Sequence, residues 1–196
     1  MKIISVNTGL VAPLFVQAGG HSQSVHSAIR KQAVIGKVLV KPLGLAGDEQ
    51  ADLSVHGGLD KAVYAYPAEH YAFWQAEAER VFKRPVMLVP GSIGENLTTE
   101  GLLERDLWVG DRLQAGELLL EVTEPRQPCF KFGARMGYAH ALRQMLQSGY
   151  TGVYLKVVQS GEVEAGQRLQ LIAGAREVSI ASINERRLKG RQRDLL

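Results

Sequence analysis

One cysteine, Cys129, stands in a chain of 196 residues. Its isolation excludes an internal disulfide, a Cys-x-x-Cys redox pair and all-cysteine ligation of an iron–sulfur cluster. No apolar run reaches the eighteen or so residues that a membrane helix needs. The start, MKIISVNTGLVAPLF, lacks the long apolar centre and small-residue cleavage site of a secretory signal. These absences point to a cytoplasmic protein without a membrane partner. An excess of one charge is missing too, because 23 Lys and Arg face 20 Asp and Glu for a net charge of +3. Residues 176–196 hold six basic and three acidic side chains, which leaves 17 of each sign in residues 1–175. The body is neutral, whereas a nucleic-acid-binding domain carries its basic face on the folded body, so nucleic acid is not an expected partner. With 45% apolar and 22% charged residues the composition is that of an ordinary globular domain, long enough to bury a core without staples.

Short β-type runs dominate what is present: Lys2 to Val6, Lys37 to Val40, Val63 to Tyr66, Val86 to Val89, Leu118 to Val122, Val153 to Val158 and Arg168 to Ile172, most of them bounded by Gly, Pro, Asn or Asp. Two segments carry helical period instead. After Pro67, residues Tyr71, Trp74, Ala78 and Val81 share a face, and Tyr138, Ala141, Leu142, Met145 and Leu146 form another. Many strands with few helices, not strictly alternating, predict a mostly β barrel with peripheral helices. The barrel is expected over residues 1–175, followed by a short, frayed, basic helical appendage over 176–196 that carries Ile180, Ile183 and Leu188.

Three regions could carry chemistry. Cys129 lies in Glu124-Pro-Arg-Gln-Pro-Cys-Phe-Lys-Phe, where two prolines stiffen the segment and Arg126, Lys131 and Arg135 lie nearby in sequence. Cations close to a thiol favour its thiolate, which is a nucleophile and a metal ligand; a buried, inert cysteine is the other reading. The segment from Gly47 to Ala62 gathers Asp48, Asp52, His56, Asp60 and Lys61 around the pair Gly57 and Gly58, where backbone N–H groups can approach a ligand. No metal-binding His or Cys spacing supports a metal there, and a self-satisfied Asp-rich turn is the alternative. Gly91 to Gly101 reads as a loop presenting main-chain amides with Asn96, Thr98 and Thr99 as neutral hydrogen-bonding groups. His21 and His26 fall in a polar early loop and His70 and His140 in helices, all four read as structural or solvated.

Phosphate-binding glycine motifs and a Gly-x-Ser-x-Gly elbow are absent, so neither a nucleotide cofactor nor an ordinary serine hydrolase is indicated, and pyridoxal phosphate is not expected. The segments GLAGDEQADLSVHGGLDKAVYAYP, GSIGENLTTEGL, VGDRLQAGELLLEVTEPRQPCFKF and TGVYLKVVQSGEVEAG, between about residues 44 and 166, resemble the MOSC domain of molybdenum cofactor sulfurases and the mitochondrial amidoxime-reducing component, and in particular the stand-alone bacterial YiiM-like members. The resemblance implies a β-barrel fold and a molybdenum cofactor, Mo-molybdopterin, whose metal takes a cysteine thiolate, here Cys129. It aligns the family motifs with His56, Gly57 and Gly58, with Glu95 and Asn96, and with Arg126 and Cys129. Arg126 and Lys131 are assigned the anionic side of the cofactor, Asn96 and the loop amides its pterin edges, and His56 the proton donor.

The activity so implied is two-electron reduction of small N-hydroxylated compounds such as hydroxylaminopurines or amidoximes, fed by a separate electron-donor reductase. A cofactor carrier, or a sulfur-transfer protein with persulfide on Cys129, are the alternatives. Gln167 departs from the Asp common after the glycine in the family. Where YiiM-like proteins continue into a helical C-terminal domain only a first helix is present here, which leaves a homodimer and partner docking open.

Overall fold

The computed structural model describes residues 1–18, 21–51 and 57–193. The chain opens with β1 (Lys2–Thr8), a hairpin of β2 (Ala12–Ala18) and β3 (His21–Ser27), and the short strands β4 (Gln32–Val34), β5 (Val38–Lys41) and β6 (Gly44–Leu45). After β7 (Val63–Pro67) a 3-10 turn, Ala68–His70, leads into α1 (Tyr71–Phe82). Then come β8 (Leu97–Glu100), β9 (Arg112–Ala115), β10 (Leu118–Pro125), α2 (Phe130–Met136), α3 (Ala141–Ser148), β11 (Val153–Gln159), β12 (Gly161–Val163), β13 (Gln170–Ile172) and α4 (Ile180–Arg193).

Eight strands form one sheet in the order β13-β9-β10-β11-β7-β8-β1-β4. Its described pairings are antiparallel except β7 with β8, which α1 connects in parallel. The sheet curls until its ends meet: Ile3 N–H donates to the Gln167 carbonyl at 2.9 Å, and Gly166 N–H to the Ile3 carbonyl at 2.8 Å. Closure of this kind leaves few unpaired edge groups. The expected β-barrel with peripheral helices is the observed fold.

Two cores share the central strands. Val63 and Ala65 of β7 and Val153 and Leu155 of β11 belong to an aliphatic cluster with Ile3, Leu97, Leu113 and Leu120. Tyr64, Tyr66 and Tyr154, pointing the other way by the two-residue period of a strand, join an aromatic cluster with Trp74, Phe132 and Met145. All of β7 is buried in consequence. Helix α1 supplies Tyr71, Trp74 and Ala78 to the aromatic side and ends at Lys83, whose left-handed φ of 55° lets its N–H cap the Glu79 carbonyl at 2.8 Å.

Three expectations change. Val86 to Val89 pairs with no strand; Val86 and Leu88 pack on the aromatic cluster while Met87 and Val89 face solvent, so the alternation is real and the ladder is missing. His21 to Ser27, with His21 and His26, is a strand rather than a loop, held by full pairing with β2. Within Gly91 to Gly101, Leu97 onward is the buried strand β8, inserted between β7 and β1. Among the described residues of the 176–196 segment, Ile180 is fully buried, Asn184 Nδ2 donates to the Gly149 carbonyl at 3.1 Å, and Arg187 Nη2 reaches Glu124 Oε2 at 2.8 Å.

Candidate functional site

Strand β10 ends at Pro125, and the next residue still bonds as if in the sheet, Arg126 N–H donating to the Gly152 carbonyl at 3.4 Å. Gly152 has φ +62° and lies so close to β7 that a Cβ would meet the Ala65 carbonyl oxygen at 2.5 Å. Beyond Pro128 the chain turns, and Cys129, in extended conformation, precedes the first residue of α2. Its thiol is half-buried. It lines a cleft together with Lys31, Asp48, Lys61, Asn96, Arg126 and Lys131, and the cleft walls include Tyr64, Tyr154 and Gly94. The cleft encloses about 90 Å³, room for one end of a ligand rather than all of it.

Arg126 is 5% exposed. Its guanidinium lies over the Tyr64 ring at 4.8 Å and the Phe132 ring at 5.2 Å, and Nη1 donates to the Ile93 carbonyl at 2.7 Å. Burial opposes its charge, but interactions with Tyr64, Tyr154 and Cys129 outweigh that and hold its pKa above the ordinary value. The Nε atom is buried without a hydrogen-bond partner. An arginine fixed on three sides with an idle donor on the fourth is ready to receive an anion.

A second cation, Lys31, has no signature in the sequence and comes from the segment after the β2–β3 hairpin. Its ammonium pairs with Asp48 in the cleft wall, side chains 7% and 5% exposed. Burial lowers the Lys31 pKa, opposed by the Asp48 charge and hydrogen bond. Asp48 is a hub: Oδ1 also accepts from Gly9 N–H at 2.7 Å, and Oδ2 accepts from Asn96 Nδ2 at 2.8 Å. One of three ammonium N–H groups is used by Asp48, leaving the others for a ligand.

That hub revises the reading of Asn96. Its Oδ1 accepts from Tyr64 N–H at 3.1 Å, and Nδ2 gives one proton to Asp48 and one to the Asn7 carbonyl at 3.3 Å. With both amide protons occupied, Asn96 braces the wall and has no donor left for a pterin edge. Glu95 does not line the cleft. Its carboxylate is fully buried, accepting from Gly91 N–H at 2.7 Å, Ile93 N–H at 3.0 Å, the Thr98 hydroxyl at 2.8 Å and the Tyr71 hydroxyl. Neither Gly57 nor Gly58 lines the cleft; Gly58, with φ +86°, donates its N–H to the cleft residue Gln50 at 3.0 Å. His56 and Asp52 lie outside the described residues. Of the other histidines, His70 is buried with Nε2 2.8 Å from Glu104 Oε2 and its ring stacked on Tyr150, a structural place.

Lys61 reaches Glu124 Oε1 at 3.3 Å and lies over the Tyr154 ring. Among the described residues no three His, Cys, Asp or Glu side chains cluster as metal ligands, and no helix is long and apolar enough to cross a membrane. The cleft thus brings a half-buried cysteine, four cations and the carboxylates of Asp48 and Glu49 together against an aromatic wall.

A family model described as the MOSC domain matches residues 52–170, more than half of the chain and all of the strand-to-helix segment that presents Cys129. The chain belongs to the MOSC family. Among MOSC relatives, the uncharacterized protein YflK of Bacillus subtilis (strain 168) is 37% identical over 184 residues, 93% of this chain and 79% of its own length. YiiM of Escherichia coli (strain K12) is 37% identical over 154 residues, 79% of this chain and 67% of its own. A Gibberella moniliformis protein named "Reductase" is 35% identical over 158 residues, but this chain spans only 28% of that relative. The crystal structure of YiiM from Geobacillus stearothermophilus superposes with a TM-score of 0.74 at 33% identity, covering 97% of this chain and 85% of that one. The chain is thus similar to stand-alone bacterial YiiM-like MOSC proteins.

Proposed function

We propose that this MOSC protein holds a pterin-borne molybdenum cofactor through the Cys129 thiolate and reduces N-hydroxylated compounds, hydroxylaminopurines or amidoximes, to the amine or amidine. The observation that carries the reading is the meeting of the sole cysteine with Lys31, Lys61, Arg126 and Lys131 in one cleft. A metal ion held by protein alone takes three or four side-chain ligands, which the described residues do not assemble. One soft thiolate among cations suits a metal that arrives on an anionic, sulfur-rich carrier. The unpartnered, buried Arg126 Nε is the kind of donor such an anion satisfies.

In this reading Cys129 ligates, while Arg126 and Lys131 bind the anionic side, with Lys31 facing them across the cleft. When bound, the cofactor supplies two-electron redox chemistry at its metal. The overall change is R–NH–OH + 2 e⁻ + 2 H⁺ → R–NH₂ + H₂O, with the electrons drawn from a separate reductase protein. The chain's own part is to orient the N–O oxygen, through the unused N–H groups of Lys31, and to deliver protons, for which His56 is the proposed donor. Tyr64 and Tyr154 keep one wall of the cleft dry, which strengthens every charge interaction inside it. The name of the Gibberella relative favours reduction over simple carriage of the cofactor.

The test is molybdenum and pterin content after production in a cofactor-competent host. Near-stoichiometric loading of the wild type, with metal lost from Cys129→Ala, is the expected result. Absence of both from the wild type, under conditions that load a known molybdoenzyme, overturns the reading and turns attention to persulfide on Cys129.

A further inference from the structure

A second cavity, of about 530 Å³, lies between the end of α3, the first half of α4 and the turns at residues 69 and 104. Its volume is that of a small-molecule site. It shares no lining residue with the Cys129 cleft. The turn 149–152 stands between the two: Gly149 and Tyr150 line this cavity, whereas the Gly152 carbonyl accepts from Arg126 N–H in the wall of the other.

The pair of His70 and Glu104, structural in its packing, lines this cavity with a ring nitrogen to spare. Glu104 accepts at both oxygens, from Gly152 N–H at 2.7 Å and from His70 Nε2 at 2.8 Å, so Nε2 carries a proton and in the neutral ring Nδ1 is an acceptor. His70 is 8% exposed, and its Nδ1 has no hydrogen-bond partner among the described residues. That nitrogen is not sealed in the interior either, so its open side is the cavity. Asn184 repeats the pattern from α4: it is also 8% exposed, and Nδ2 gives its protons to the Gly149 carbonyl at 3.1 Å and the Thr151 hydroxyl at 3.0 Å. Its Oδ1 is left as a second acceptor without a partner among the described residues. The buried donors are spent and the acceptors are not, which calls for a ligand rich in N–H groups.

The charges agree with that demand. Glu69, Glu104 and Glu185 line the cavity against Arg105, and Glu185 forms no ion pair among the described residues. Apolar surface completes the lining: Leu103, Leu146 and Leu188 are half-buried, and the Tyr150 ring stacks on His70 at 3.8 Å. We propose that this cavity binds a small organic cation with an apolar body, an amidinium or ammonium ion, whose N–H groups donate to His70 Nδ1 and Asn184 Oδ1 and whose charge Glu185 meets. An anion would add negative charge beside carboxylates and face acceptors that have no proton to give, and a neutral amide would satisfy the acceptors but not the charge. The site stands independently of the chemistry at Cys129.

Benzamidine, benzamide and benzoate share a shape and differ in charge, so calorimetric titration of the protein with each at pH 8 tests the site. Benzamidine is expected to bind at least about tenfold more tightly than benzamide, since one charge-assisted contact is worth about that factor, and benzoate is expected not to bind. His70→Gln keeps a donor for Glu104 and removes the ring acceptor, and is expected to weaken benzamidine about tenfold. Glu185→Lys reverses an exposed charge without touching the core, and is expected to weaken it about fivefold. Cys129→Ala is expected to bind benzamidine as the wild type does. Should His70→Gln fail to fold, the exposed Glu185→Lys decides alone. Equal affinity for benzamidine and benzamide, a preference for benzoate, or benzamidine binding unchanged in Glu185→Lys overturns the proposal. Binding lost in Cys129→Ala places the cation in the other cleft and overturns it as well.

Discussion

Two buried carboxylates flank Asn96 and do opposite things. Glu95 faces inward, and every donor it accepts from is neutral: two amides of its own turn and the hydroxyls of Thr98 and Tyr71. Asp48 faces the cleft, and one of its donors is the ammonium of Lys31. Glu95 closes the 91–94 turn onto α1 and the core and leaves nothing for a ligand. Asp48 ties Gly9, Lys31 and Asn96 together and leaves Lys31 with N–H groups free to face the cleft. A carboxylate becomes part of a site when the groups it holds retain unused donors, and burial alone does not distinguish the two cases.

Substitution separates them. Glu95→Ala strands two backbone amides and two hydroxyls in the core, and is expected to cost on the order of 4 kcal/mol in urea unfolding. A cost under about 1 kcal/mol would show that water replaces the carboxylate and that the inward arrangement is not what holds the turn. Asp48→Ala strands fewer groups, at the edge of the cleft, and is expected to cost about 2 kcal/mol while releasing Lys31 and Asn96. Its larger effect is on the ligand: pterin retained through gel filtration should fall several-fold, more than its stability loss explains. If stability and retention fall together in both variants, the contrast between a structural and a site carboxylate collapses.

The contrast also marks what could be read in the sequence. Cys129, Arg126 and Lys131 were legible because a proline-flanked strand end delivers them from one short stretch, so local order survives into the cleft. Glu95 and Asn96 were legible as a motif and misread in role, since the direction of a side chain depends on partners such as Tyr71 and Asp48, distant in sequence. Lys31 had no signal, being one lysine in a polar stretch carried to the cleft by the β2–β3 hairpin. That hairpin was missed for a related reason: β3 is exposed at nearly every position and lacks the alternation that marks a half-buried strand. Strand β8 was misread as loop because Asn and Gly precede it, yet the β-branched Thr98 and Thr99 fill a strand between β7 and β1. The barrel itself was legible, because its aliphatic strands repeat at short intervals between turn residues.

The aromatic wall behind the site sets the alkaline limit of stability. Burial raises the pKa of Tyr64, Tyr66, Tyr71 and Tyr154, and pushes Tyr138 up to about 12, against an ordinary value of 10.0. A folded pKa above the unfolded one means the unfolded chain releases its protons first, so this stability is complete below pH 10 and is lost as pH rises past it. Absorbance at 295 nm should show these five of the six tyrosines ionising together with loss of near-ultraviolet circular dichroism, and independent ionisation in the folded protein would contradict their burial.

Lys31 titrates with the opposite sign and a smaller effect. Burial lowers its folded pKa beneath the ordinary 10.5, with Asp48 opposing. Between those two values the unfolded chain holds a proton that the folded one has released, so the contribution of Lys31 to stability rises with pH and levels off above 10.5. Lys31→Met leaves the buried Asp48 carboxylate without its counter-ion, with only Gly9 and Asn96 as donors, so at neutral pH it should cost about 3 kcal/mol. Urea unfolding of both proteins from pH 7 to 10 should therefore show the wild type gaining on Lys31→Met as pH rises. A difference that is flat or shrinks with pH would mean that Asp48 holds the ammonium more strongly than burial disfavours it, and the cation would then be locked to its carboxylate rather than available to a ligand.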